Sequence, residues 1–262
     1  MKLILLLTAA LATAALQAPT QTTPAAATPR VVADQIPTKN GPLTVQPITH
    51  GSVVLTWNGK TIYVDPYGGA QAYAGLAAPD LVLITDIHGD HLDPKTLAGL
   101  SLGKALLVVP QAVAEQLPPA YKGHIRSLRN GQQFDTLGLH VSAIPMYNLP
   151  EAADARHPKG RGNGYVLNLG GKNVYLSGDT EDIAEMRALK NIDVAFVCMN
   201  LPYTMDVQQA AQAVLAFKPG IVYPYHYRGQ NGLSDVDGFK KTVNAANQKI
   251  DVRLRNWYPS GQ

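Results

Sequence analysis

The chain has 262 residues, a formal net charge of +3, 46% hydrophobic and 16% charged residues. That length buries a full core as one domain, and the Lys and Arg residues are scattered rather than run together, so charge gives no case for a nucleic-acid binder. A lone cysteine, Cys198, excludes an internal disulfide.

In chain order, Met1-Lys2 and the apolar stretch 3–16 read as a secretory signal, with cleavage after Ala14 or Ala18. The stretch is short for a membrane span. The expectation is a signal peptide over 1–18, a disordered Pro/Ala/Thr-rich linker over 19–40, and a folded domain over 41–262 that is periplasmic or secreted. Runs 43–48 and 53–57 are strand-like, Asn58-Gly59 signals a hairpin, and the returning strand 61–64 ends at Asp65-Pro66.

The apolar run 81–84 reads as a buried strand and delivers Asp86, His88, Asp90, His91 and Asp93 onto one short loop. Gly89 allows a sharp turn there, and Asp93-Pro94 has the residues of a helix N-terminus. A loop at the C-terminal end of a strand is a usual place for a site when helices flank a sheet. Only seven histidines occur in the chain, so two of them beside several carboxylates are a poor match for chance. Imidazole and carboxylate together suit Zn, Mn or Fe.

Beyond the loop the sequence predicts a helix over 94–100, a strand over 105–109, a helix over 111–116 and a strand over 139–144 that runs into Pro145-Met146-Tyr147-Asn148. A polar loop, 151–164, contains His157-Pro158-Lys159-Gly160. A hairpin of 165–169 and 173–176 follows and ends at Ser177-Gly178-Asp179-Thr180. Then come a helix over 181–190, a strand over 194–198 with Cys198 as a buried small residue, a helix from Asp206 to Phe217, a strand over 221–223, a helix capped by Ser234 and a strand over 252–254. Strands followed by strand–helix units, twice over, give two β-rich layers with helices outside; no sequence repeat is evident.

Asp179 and His226 also fall just past strand ends, and His157 less directly so. With Asp86, His88, Asp90 and His91 they make too many ligands for one tetrahedral ion and suit two ions sharing a bridging carboxylate.

These motifs resemble the metallo-β-lactamase fold superfamily over roughly residues 43–258. The matching positions are Asp86, His88, Asp90 and His91 for the signature loop, Gly178-Asp179-Thr180 for the bridging aspartate, His226 for the last histidine and Asp65 for the aspartate ending an early strand. His50, Asp65-Pro66 and Tyr225-His226-Tyr227 are most similar to the general metal-dependent hydrolases near the ascorbate-phosphate lactonases. The resemblance implies a four-layer αββα fold, two packed mixed sheets with helices outside. It implies one or two divalent ions, zinc first and manganese or iron next, and a metal-activated hydroxide that attacks an ester, lactone, amide or phosphodiester bond of a small molecule, with no nucleic-acid partner. Asp90 would ligate and orient the hydroxide or carry a proton, and Asp179 would bridge the ions. Lys159, Asn200, Tyr203, Tyr227 and Arg228 are candidates for substrate contact, and His50 and Asp65 for support behind the ligands.

Two positions depart from the family pattern. Asp86 stands where the family has histidine, and a harder, anionic ligand favours Mn or Fe. Met146-Tyr147-Asn148 stand where a middle histidine is expected. His157 either folds back to replace it, lies in a surface loop or binds substrate; with neither His157 nor Tyr147 as ligand, the site would hold one ion. The alternatives on the same fold are a true β-lactamase and a non-catalytic binding or scaffold protein.

Overall fold

The computed structural model describes residues 30–259, so the signal stretch and the first part of the linker lie outside the described residues. The first sheet runs in chain order through β1 (Asp34–Ile36), β2 (Leu43–Pro47), β3 (Val53–Trp57), β4 (Lys60–Val64), β5 (Leu81–Leu83), β6 (Leu106–Val109) and β7 (Ile125–Ser127). The second contains β8 (Gln133–Thr136), β9 (Leu139–Met146), β10 (Gly162–Leu169), β11 (Lys172–Leu176), β12 (Val194–Cys198) and β13 (Ile221–Tyr225). A small hairpin of β14 (Arg228–Gly229) and β15 (Gly232–Leu233) follows, and β16 (Asp251–Val252) joins the second sheet beside β13. Helices α1 (Pro94–Gly99) and α2 (Gln111–Gln116) lie in the first half, and α3 (Ala184–Arg187), α4 (Val207–Phe217) and α5 (Val236–Ala246) in the second.

Alternation along each strand explains the layering. Val53, Leu55 and Val64 enter one core together with Val141, Leu167 and Phe196 of the second sheet. Their neighbours Val54 and Tyr63 enter a separate core with Leu97 of α1 and Val113 of α2. The second sheet is covered by α4, whose Ala210, Ala211, Val214 and Phe217 are buried. This is the helix–sheet–sheet–helix arrangement that the sequence predicts.

The two halves repeat one plan. Each sheet has antiparallel pairs through its first four strands and parallel pairs through the rest. In the first half Lys60 pairs with Asp80 at 3.1 Å, and the other Asp80 oxygen accepts the Thr61 N–H at 2.9 Å. In the second half Lys172 and the Asn173 N–H hold Asp193 in the same way, at 2.8 and 2.9 Å. Against the expectation of no repeat, Gly59-Lys60-Thr61-Ile62-Tyr63-Val64 and Gly171-Lys172-Asn173-Val174-Tyr175-Leu176 match position by position, a segment too short to stand out until the two halves are superposed by their topology.

Several boundaries differ from the expectation. Folded structure begins before residue 41: β1 pairs with β2 inside the stretch read as linker, and Asp34 binds Arg255 at 2.6 Å. Three residues are too few to show a period, which hid this strand. The edge strands β7 and β8 carry partly polar, half-exposed faces and were hidden for the same reason. β10 starts at Gly162 rather than Tyr165, because Gly162 and Gly164 look like turn residues. A Cβ on either would sit 2.8 Å from a backbone oxygen of Thr85 or Ser177, so both glycines serve close packing. The helix expected over 181–190 shortens to α3, since Ile183 is extended and buried. Asp235, not Ser234, caps α5, accepting the Gly238 N–H at 2.8 Å. The last strand is shifted to Asp251–Val252.

Candidate metal centre

The strand ends of both halves converge. β5 delivers the loop with Asp86, His88, Asp90 and His91; β11 delivers Asp179; β13 delivers His226; and the β9–β10 loop delivers His157. Asp179 stands in the middle. Its Oδ2 is 3.4 Å from His91 Nε2 and 3.3 Å from His157 Nε2, and its Oδ1 is 3.4 Å from His226 Nε2. Asp90 lies beside the His226 side, with Oδ2 3.3 Å from His226 Nε2 and Oδ1 3.9 Å from His91 Nε2. On the other side, Asp86 Oδ2 is 2.7 Å from His88 Nδ1 and 4.0 Å from His157 Nε2.

The donor atoms have the character of a ligand shell. The Nε2 atoms of His91, His157 and His226 and Asp179 Oδ1 are buried with no hydrogen-bond partner although they lie close to one another. Buried polar atoms are normally satisfied. A set of imidazole and carboxylate lone pairs aimed at common points fits divalent ions: His91, Asp179 and His226 form one group close enough to share an ion and Asp86, His88 and His157 another, with Asp90 beside the first through His226 and His91.

Residues behind the ligands fix their orientation. Asp65, fully buried at the end of β4, accepts the Thr85 N–H at 2.7 Å and the Thr85 hydroxyl at 2.6 Å, and its Oδ2 lies 2.8 Å from His91 Nδ1. An N–H on that ring nitrogen leaves His91 Nε2 with its lone pair toward Asp179, the arrangement a ligating histidine needs. Asn148 does the same for His157: its Oδ1 accepts the His157 backbone N–H at 2.8 Å and lies 3.1 Å from Nδ1. Asn148 is itself held through donation to Glu181 at 3.1 Å and the Tyr203 carbonyl at 2.8 Å.

Charge balance points the same way. Burial would raise the Asp179 and Asp90 carboxyls, but His226 and His91 hold both well below the usual range. Burial lowers His91, yet Asp179, Asp65 and Asp90 together raise it well above an ordinary imidazole. The cluster attracts positive charge, as protons or as metal. His50, close to Asp90 and His226, is pushed down to about 4 by burial and by His226. It can also join a ligand group with those two residues, and its Nδ1 lies 3.4 Å from the Tyr258 hydroxyl.

Of the other sequence candidates, His157 has folded back into the cluster and is buried. Tyr147 has not: its hydroxyl donates to Glu185 at 2.8 Å. Asp93 caps α1 by accepting the Lys95 and Thr96 N–H groups. Three substrate candidates are otherwise engaged. Lys159 pairs with Glu151 and Glu185 at 2.9 and 3.1 Å, Asn200 is buried against Thr204, and the Tyr227 hydroxyl is fixed between the Arg255 carbonyl and the Trp257 N–H. These polar ends satisfy the loops that shape the rim, which the residue types alone did not reveal. Tyr203 and Arg228 remain half-exposed, Tyr203 under the Arg156 guanidinium and Arg228 above the Tyr258 ring. Arg161, Asn148 and Thr85 were not singled out from sequence. An aspartate in a histidine position asks for a nearby cation, and Arg161, four residues after His157, was the available signal.

Fold and site together define a metal-dependent hydrolase of the metallo-β-lactamase superfamily. The family profile described as a β-lactamase superfamily domain matches residues 44–226, and the chain belongs to that family. A UPF0173 metal-dependent hydrolase of Pyrococcus abyssi is 31% identical over 195 residues, covering 70% of this chain and 85% of the relative. Among solved structures, a protein of Parabacteroides distasonis assigned as a metal-dependent hydrolase is 38% identical with a TM-score of 0.76, covering 86% of this chain and 98% of that one. A metallo hydrolase of the archaeon Ignicoccus hospitalis is 26% identical with a TM-score of 0.68, covering 81% and 94%.

Proposed function

We propose that the chain is an exported hydrolase that opens an ester, lactone, amide or phosphodiester bond of a small molecule at a site holding two divalent ions, zinc first and manganese or iron next. The observation that carries this reading is the set of unpartnered, buried ring nitrogens of His91, His157 and His226 gathered around Asp179. Divalent ions in such a set supply Lewis acidity and a hydroxide at neutral pH. Asp90, His91 and His226 would hold one ion and Asp86, His88 and His157 the other, with the Asp179 carboxylate beside both sets of histidines. Asp90, half-exposed and held ionised by His91 and His226, would be placed to orient a water activated at the ions and to carry its proton. Asp65 and Asn148 keep His91 and His157 in the ligating orientation. Tyr203 and Arg228 offer an aromatic face and a cation at the rim for substrate.

Export is supported by the positive start and short apolar stretch of residues 1–16. Among the described residues no helix is long and apolar enough to cross a membrane.

The test is turnover of a panel of ester, lactone, phosphodiester and β-lactam substrates by the zinc- or manganese-loaded protein. Activity lost on chelation and restored by metal is expected, with Asp90→Asn lowering kcat by about 10²–10⁴-fold. A preference for the β-lactam would favour the β-lactamase alternative. Turnover indifferent to chelation and to Asp90→Asn would contradict the proposal, and no turnover of any substrate by the loaded protein would favour the binding protein.

A further inference from the structure

Arg161 is the cation that the metal cluster carries within itself. It lies on the segment that delivers His157, just before β10, and its guanidinium grips both oxygens of buried Asp86: Nε to Oδ1 at 3.1 Å and Nη2 to Oδ2 at 3.0 Å. The same Nη2 lies 3.5 Å from His88 Nε2. Among the described residues, no other Lys or Arg forms an ion pair with Asp65, Asp86, Asp90 or Asp179.

We propose that Arg161 is a charge-compensating positioning residue, which makes Asp86 electrically equivalent to a neutral histidine ligand while holding it toward His88 and His157. The inference rests on the metal-site reading above. Asp86, Asp90 and Asp179 set three negative charges around the ions, one more than a site with histidine at position 86, and the Arg161 guanidinium cancels one of them. The planar fork matches a carboxylate in a way a lysine ammonium cannot. Its two parallel bonds fix the plane of the Asp86 carboxylate, while each oxygen keeps a further acceptor direction. On Asp86 Oδ2 that direction is the one facing His88 Nδ1 at 2.7 Å, so an ion bound there would take the place of any proton the two share. One segment, 157–161, thus supplies both the replacement ligand and the charge that an aspartate in place of a histidine requires. Gly160, at φ 88°, turns the chain between them.

The inference predicts a specific non-additivity. Replacing Asp86 by His leaves Arg161 unpaired beside an incoming dication, so Asp86→His alone should weaken the second zinc ion by about tenfold or more. Adding Arg161→Met to Asp86→His should restore most of that loss, because the repelling cation is gone. Arg161→Lys should keep the charge but lose the fork, and bind the second ion more weakly than wild type. Zinc titration calorimetry and elemental analysis of wild type, Asp86→His, Arg161→Lys and Asp86→His/Arg161→Met provide the readout. The ion held by Asp90, His91 and His226 serves as the internal control for folding. Equal weakening in Asp86→His and in the double variant, with the first ion intact, would overturn the compensation role alone. A wild-type protein that takes up no zinc or manganese would overturn the metal-site reading and this inference with it.

Discussion

At the scale of single residues, the centre is built from side chains that act through one another. Asn148→Ala removes the acceptor that faces His157 Nδ1 and the His157 backbone N–H. Loss of such a partner behind a ligating histidine costs about 10–100-fold in metal affinity. Zinc titration should show that loss for one of the two ions while the other stays bound, alongside a lower melting temperature from the lost Glu181 and Tyr203 contacts; unchanged affinity for both would count against His157 as a ligand. Cys198 shows the opposite character. It is buried at the end of β12, and burial together with Asp179 pushes its thiol up to about 11. The folded chain therefore keeps the proton that an unfolded chain gives up near 9.0. Its contribution to stability is full below pH 9.0 and is lost as pH rises toward about 11. A thiol reagent at pH 8 should leave the native protein unmodified and label it once it is unfolded in guanidinium. Rapid labelling of the native form would show that the thiol is accessible.

At the scale of elements, the centre depends on how strands end. Gly178 sits between β11 and Asp179 at φ 61°, where a Cβ would come within 2.6 Å of Met146 Sδ. Gly178→Ala combines backbone strain with overpacking and should destabilise the fold by about 1–3 kcal/mol. It should also weaken metal binding through displacement of Asp179, which a melting curve and a zinc titration read separately; a variant with wild-type values for both would show that the glycine is dispensable. Asp206 caps α4 in a reciprocal pair with Gln209, so Asp206→Ala should cost about 1 kcal/mol with no effect on metal content. The contrast between these elements shows what a sequence can reveal. β3, β4, β12 and α4 were legible because alternation, a turn signal or a cap repeats over enough residues. The Asp86–His91 loop was legible because its ligands are adjacent. β1, β7 and β8 were not, since short edge strands carry no period, and β10 was masked by glycines whose purpose is close packing against Thr85 and Ser177. The same applies to Arg161: its meaning lies in the Asp86 carboxylate, 75 positions away in the chain.

At the scale of the whole molecule, two similar halves set their strand ends against one another. The first half brings Asp65 and the Asp86–His91 loop, and the second brings His157, Asp179 and His226. Asp80 and Asp193 anchor the corresponding strands with the same pair of contacts. A substitution that loosens either half should therefore release metal, even where no ligand is touched. The most direct measurement is the metal content of wild type and His157→Ala by elemental analysis after zinc reconstitution, beside their melting curves. The account predicts about two ions per chain for wild type and about one for His157→Ala, with the fold retained. A wild type that holds fewer than two ions, or a His157→Ala variant that keeps both, would contradict it.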